Sequence, residues 1–249
     1  MAEIALITGA TGGLGAPMAR LLASSGYHVA VHFNSNDGRA RSLVSEIISS
    51  GGMAFAVDGN LAGPDRDVVA DRIVNEVIAN LGSIELLVNN AADQSSGNWL
   101  KQSAQESDQI LAGTYGSAVA MTRACQLVMH AGTSIVNVSS VESGRPFPNH
   151  AHYAAAKAAL QSFTLSAAAD LAGKGIRVNA VVPGLIGSDD LETTWPVGLA
   201  WWNKTSMLGR PVSADEVASA VLYLGRSSGV TGSSVVVDGG WCGASGPIA

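Results

Sequence analysis

Apolar residues fall along this chain in two alternating patterns. Predominantly apolar runs at residues 4–7, 28–33, 53–57, 85–88, 134–138, 177–182 and 235–237 read as buried strands. Between them, apolar positions recur at helical spacing. Met18, Leu21 and Leu22 mark a helix over 16–25, and Leu43, Ile47 and Ile48 one over 39–50. Val69, Ile73, Val77 and Leu81 line one face of 65–81, and longer helical patterns span 103–130 and 150–172. Ser213 and Glu216 form a capping box for a helix over 214–224. Gly26, Gly51-Gly52 and Gly82 stop the helices they follow. Residues 185–212 have no clear period and hold Trp195, Trp201 and Trp202. Continuous apolar strands alternating with amphipathic helices predict a parallel sheet covered on both faces. No linker, repeat or low-complexity tract interrupts it. The prediction is one α/β domain over 1–249, doubly wound and Rossmann-type, with a seven-stranded parallel sheet and helices on both faces.

In such sheets ligands bind beyond the carboxyl ends of the strands. The unusual residues gather there. Thr8-Gly9-Ala10-Thr11-Gly12-Gly13-Leu14-Gly15 follows the first strand and opens a helix near Gly13. Glycine lets a ligand approach the backbone closely, and a helix N-terminus offers unpaired N–H groups to phosphate. The turn therefore reads as a cradle for a dinucleotide pyrophosphate; alone, it is also an ordinary tight turn. Asn89-Asn90, Ser139-Ser140 and Pro183-Gly184 end later strands. Tyr153 and Lys157, at i and i+4, share one helix face. A neighbouring ammonium favours phenolate, so Lys157 is expected to lower the Tyr153 pKa and let the phenol exchange a proton with a carbonyl or alcohol oxygen. Ser140 is placed to hydrogen-bond that oxygen.

Composition narrows the partners. The apolar share is 47% and the charged share 14%, so much surface must be buried in the fold or between subunits. A net charge of −6 argues against a nucleic-acid groove. Cys125 and Cys242 match no metal spacing and read as reduced thiols of a cytoplasmic protein. His150 and His152 lack a third ligand, so no metal site is expected, and His28 and His32 read as packing or edge residues. Glu3 and Thr8-Gly9 interrupt any leader-like apolar segment, and no run approaches the roughly 18 apolar residues of a membrane span.

Taken together, these motifs resemble the short-chain dehydrogenase/reductase family. The resemblance covers nearly the whole chain. It rests on Thr8-Gly9-x-x-x-Gly13-x-Gly15, Asn89-Asn90-Ala91, Ser140 thirteen residues before Tyr153, Tyr153-x-x-x-Lys157, Pro183-Gly184 and Val237-Asp238-Gly239-Gly240. It implies Tyr153 as acid/base, Ser140 as orienter of the substrate oxygen, and Lys157 as holder of the nicotinamide ribose. It implies cofactor contacts at Gly9, Thr11, Gly13, Leu14, Gly15, Asn34, Ser35, Asn60, Leu61, Asn90, Ala91, Tyr153, Lys157, Pro183, Gly184, Ile186 and Ser188. A substrate lid at about 185–212 is implied, and a homo-oligomer, tetramer or dimer, built on helices 103–130 and 150–172.

Three departures stand out. Ala92 replaces the family's glycine, Gly113 stands where an Asn usually holds a water of the proton relay, and Asn60 replaces the usual Asp beside the adenine. Gly113 leaves two possibilities open, a different relay or close helix packing. No acid follows the second strand at Phe33; Asn34, Ser35 and Asn36 come next, which favours NADP(H) over NAD(H). Trp195, Trp201, Trp202 and Met207 fit an apolar substrate pocket as well as they fit core or subunit packing, and Gln94, Ser95, Arg145 and His150 are placed to flank its opening. The expected activity is hydride transfer between NADP(H) and a small ketone or secondary alcohol, as in a 3-oxoacyl reductase. The alternatives are a pteridine-type reductase and a non-catalytic NADP(H)-binding regulatory protein. Enoyl-reductase relatives space Tyr and Lys more widely.

Overall fold

A computed structural model describes residues 3–242. Seven strands form one sheet: β1 (Ile4–Ile7), β2 (His28–Phe33), β3 (Met53–Asp58), β4 (Ile84–Asn89), β5 (Ser134–Val138), β6 (Arg177–Pro183) and β7 (Ser234–Val237). They lie in the order β3-β2-β1-β4-β5-β6-β7, and every pair is parallel. Every predicted strand forms, within a residue at either end.

Side chains alternate across a strand, so β1 feeds two cores. Ala5 and Ile7 join Val29 and Val31 under α1 (Gly15–Ser24), α2 (Asp37–Ser49) and, near the chain's end, a helix over Ala214–Arg226. Ile4 and Leu6 join Leu87 and Ile135 on the opposite face, under α3 (Arg66–Asn80) and later helices. Continuous apolar strands follow from this two-sided burial.

The helix expected over 103–130 is shorter and broken. It runs as α4 (Ala104–Leu111), a wide π turn at Ala112–Gly116, and α5 (Ser117–Cys125). It stops at Cys125 because Leu127 is turned out to solvent and its N–H bonds Ala124 O, three residues back, rather than four. The next helix, α6 (Ala151–Leu171), stands as expected. Residues 185–212 are more ordered than the absence of a period suggested: α7 (Leu191–Thr194) and α8 (Pro196–Thr205) occupy them. Pro196 at the first position of α8 is a readable helix start. The last helix, α9 (Ala214–Arg226), carries the Ser213–Glu216 capping box.

Arg177 fastens the far end of α9 to β6. Its guanidinium is buried and donates to Leu224 O and Gly225 O, both at 2.7 Å. A cation on the last carbonyls of a helix opposes the helix dipole's negative end. Arg177→Leu is expected to cost about 2–4 kcal/mol, from lost charge-assisted bonds and a carbonyl left dry. A lower urea midpoint with unchanged slope measures it.

Candidate active site

The glycine turn holds its shape through backbone contact. Gly9 has φ +60°, a conformation that favours glycine. A methyl on Gly15 would stand 2.4 Å from Gly9 O and 2.6 Å from Ala10 Cα, so the helix start and the turn pack with no room for a side chain. Asn90 ties β4 to this turn: its amide nitrogen donates to Thr8 O and Gly9 O, both at 3.0 Å. Thr8 Oγ1 accepts from Asn90 N and Ala91 N. No side chain caps the amides of α1, and its first turn holds no carboxylate. Backbone donors at a helix start, with no competing anion, suit a pyrophosphate.

A cleft of about 1120 Å³ opens over this turn. Gly9, Thr11, Gly13, Leu14, Asn34, Ser35, Asn60, Leu61, Asn90, Ala91, Ile186 and Ser188, all expected cofactor contacts, line it. Its volume and backbone donors fit a dinucleotide. Gly15 is buried beneath it, and Pro183 and Gly184 are not part of its lining. Gly184 instead packs on Asp238 and Trp202, where a Cβ would come within 2.8 Å of both. The Asn60 amide oxygen accepts from Ala62 N at 3.0 Å, so the side chain's amino group is the part left to meet an adenine. Asn36 caps α2 through Arg39 N, and Arg41 pairs with Asp37.

His32 belongs to the site although its strand position suggested packing. Its Nδ1 accepts from Gly9 N at 3.1 Å and its Nε2 faces Gly59 O at 3.0 Å. Those partners select the neutral tautomer with its proton on Nε2. Burial pushes its pKa down to about 4, so the ring stays neutral and holds turn and β3 together across the cleft wall. The signal in the sequence was a polar ring inside an otherwise apolar strand.

Tyr153 and Lys157 share a face of α6 as expected, and both are buried. The Ser140 hydroxyl and the Gln94 amide stand beside the phenol and favour its ionised form, but burial, with help from the Glu142 carboxylate, outweighs them and pushes the Tyr153 pKa up to about 12. The expectation that Lys157 acidifies Tyr153 is therefore not met in this state. Lys157 Nζ lies 5.6 Å from the Tyr153 ring centre and donates to Val138 O at 2.6 Å. Burial also draws the Lys157 pKa down to about 7, so at neutral pH it lends the phenol only part of a positive charge. A protonated phenol with a hydroxyl and an amide around it is a proton donor for an oxygen held there. Gln94 lines the cleft, which puts that donor at the cleft's edge.

Ser140, Tyr153 and Lys157 come together at the ends of β5 and α6, but the cleft lining itself does not include them. Gly113 lies in the π turn and faces the cleft, with Asp93 and Ala62 against it; a Cβ there would meet Asp93 Cβ at 3.2 Å. Of the tryptophans, Trp202 is core, stacked on Trp241 at 5.1 Å, while Trp201 is 42% exposed and edges Phe147. Val141 and Val182, at the strand ends, join Trp202 and Trp241 in one cluster, so an aromatic wall borders the phenol's end of the sheet. His150 and His152 turn to separate partners, Glu142 and Ser107.

A family model described as Enoyl-(Acyl carrier protein) reductase matches residues 9–242. The chain is 32% identical over 246 residues to the 3-oxoacyl-[acyl-carrier-protein] reductase FabG of Staphylococcus aureus, covering 96% of this chain and 98% of that one. Among solved structures, a short-chain dehydrogenase/reductase from Serratia marcescens superposes with a TM-score of 0.89 at 27% identity, over 96% of this chain and 97% of the other. The angucycline C-6 ketoreductase LanV with bound NADP gives 0.88 at 27% identity, over 96% and 95%. Motif, topology and likeness over almost the full length lead to one conclusion: this chain is a member of the short-chain dehydrogenase/reductase family, an NAD(P)-dependent oxidoreductase built on a single Rossmann-type sheet.

Proposed function

We propose that this enzyme reduces the ketone of a 3-oxoacyl-type compound with NADPH. The observation that carries the reading is the buried Tyr153 phenol, one turn before Lys157 on α6 and with Ser140 beside it, at the border of a dinucleotide-sized cleft. The matching family description names an enoyl reductase, whereas the curated relative is a 3-oxoacyl reductase. The one-turn spacing of Tyr153 and Lys157 is why the carbonyl reading is taken. NADP(H) is preferred over NAD(H) because Asn34 and Ser35 meet the cleft after β2 with no carboxylate to repel a 2′-phosphate.

A nicotinamide dinucleotide held there would supply the hydride for the carbonyl carbon. Ser140 donates a hydrogen bond to the carbonyl oxygen and orients it. Tyr153 gives its proton to that oxygen as the negative charge develops, leaving an alcohol. Lys157, one turn along α6, holds the ribose and shares its proton with the phenolate left behind. The glycine turn and α1 would hold the pyrophosphate, with Asn60 and Leu61 beside the adenine, Asn90 and Ala91 at the ribose side, and Ile186 and Ser188 along the nicotinamide side, while Pro183 and Gly184 support that wall from behind. The segment 185–212 covers the substrate as a lid, within a domain taken as 1–249. We also propose a homo-oligomer, dimer or tetramer, since Leu111 and Leu165 are exposed on α4 and α6. Two unpaired cysteines suit a cytoplasmic enzyme.

Tyr153→Phe is expected to lower kcat for acetoacetyl thioester reduction by about 10²-fold or more, with the reduced cofactor still bound. Full turnover in that variant, followed by loss of reduced-nicotinamide absorbance, overturns the assignment. Ser35→Asp is expected to raise KM for NADPH at least about 10-fold and to spare NADH, through repulsion of the 2′-phosphate. Lys157→Met is expected to abolish turnover yet stabilise the empty protein. Lys157 is charged in the unfolded chain up to its ordinary value of 10.5 but loses its proton near 7 when folded. The unfolded state thus binds more protons between those values, so its penalty is full below about pH 7 and fades as pH rises. The gain in melting temperature should accordingly be larger at about pH 6 than at about pH 9.

A further inference from the structure

Two residues between β5 and α6 stand beside the phenol without belonging to the Ser140–Tyr153–Lys157 group. Glu142 sits in the tight turn after Ser140, and its own N–H donates to Ser140 Oγ at 3.2 Å. His150 holds its carboxylate, with Nδ1 at 3.1 and 3.0 Å from the two oxygens. The Glu142 side chain is only 12% exposed. The His150 ring meets the Tyr153 ring edge-on, centres 6.4 Å apart and planes at 86°.

The loop that sets this pair is itself constrained. Asn149, just before His150, has φ +66° and is the only non-glycine residue with positive φ among the described residues. Its carbonyl accepts from Gly97 N at 2.8 Å. Backbone in that region persists where its surroundings over-determine it, often at functional sites. Here it immediately precedes His150, whose ring binds the Glu142 carboxylate at one edge and meets the Tyr153 ring at the other.

The other charged and titratable groups around the phenol face elsewhere or act the other way. Lys157, from α6, is directed at Val138 O. Gln94 and Ser140 favour phenolate. Asp93 is turned to Ser95, Arg145 lies over Trp241, and His152 is bonded to Ser107. Glu142 is the group that brings negative charge to bear on the phenol. A poorly exposed carboxylate is weakly screened and opposes a second negative charge nearby.

We propose that Glu142, fastened by His150, is a positioning residue that keeps the Tyr153 oxygen protonated and so extends carbonyl reduction to higher pH. The inference rests on Tyr153 being the proton donor of the proposed reaction. The full-length enzyme is tested with NADP(H) and a matched pair of probes, the acetoacetyl and 3-hydroxybutyryl thioesters of N-acetylcysteamine. Oxidation needs phenolate, so its rate rises with pH through the Tyr153 transition, and reduction falls through the same one. Glu142→Gln keeps the shape and removes the charge. It is expected to move both limbs to lower pH by about half a unit to one unit. Glu142→Asp restores a carboxylate and is expected to return the limbs close to their original positions. Lowered kcat with unmoved limbs in Glu142→Gln, or equal shifts in both variants, overturns the proposal. Tyr153→Phe run alongside separates the two claims: turnover at the parental level there removes the proton donor itself, whereas a silent Tyr153→Phe with unmoved Glu142→Gln limbs removes only the role given to Glu142.

Discussion

The structure depends on one close approach of backbone to backbone, where the start of α1 lies on the turn that follows β1. Gly15 has no space for even a methyl group against Gly9 and Ala10. That contact brings a helix N-terminus to the carboxyl edge of the sheet, where the amides of the turn face open space. The same edge receives the ends of β4, β5 and β6, because all seven strands run in parallel. A parallel sheet with reversed winding about β1 and β4 leaves a crevice there, and the chemistry-bearing residues follow from it.

Electrostatics at the other end of the crevice are governed by exclusion of water. Tyr153 and Lys157 are both buried, and burial drives both toward their neutral forms. A neutral phenol and an amine that gives up its proton easily cost less to bury than an ion pair. In water the phenol would also be neutral at about pH 7, but the amine would be fully charged. His32 repeats the theme beside the glycine turn, where a ring kept neutral can accept one hydrogen bond and donate another at once.

Most of the fold was legible because strand and helix periods are hard to confuse over long runs. Strands such as 28–33 and 134–138 were readable to the residue, since two-sided burial leaves a predominantly apolar run with no period-two alternation. The break in the helix pattern over 103–130 was not, because Gly113 and Gly116 weaken a helix without saying whether it ends, bends or widens into a π turn. α8 was hidden by tryptophans whose partners, Phe147 and Trp241, lie far away in sequence. In the candidate site, the i,i+4 spacing put Tyr153 and Lys157 on one helix face, as α6 has them. It could not reveal that burial would outweigh the lysine, or that Glu142 and His150 would meet, since those depend on distances set only in three dimensions.

The bonds between Asn90 and the glycine turn have a consequence for how the molecule is assembled. They join residues 82 positions apart, across a β1–β4 pairing that most of the first hundred residues must fold to permit. Closing so long a loop is entropically costly and slow compared with local helix formation. The tie between the glycine turn and Asn90 thus exists only where β4 has docked on β1. Any ligand that needs that turn in its final shape stabilises the docked sheet over the forms that precede it.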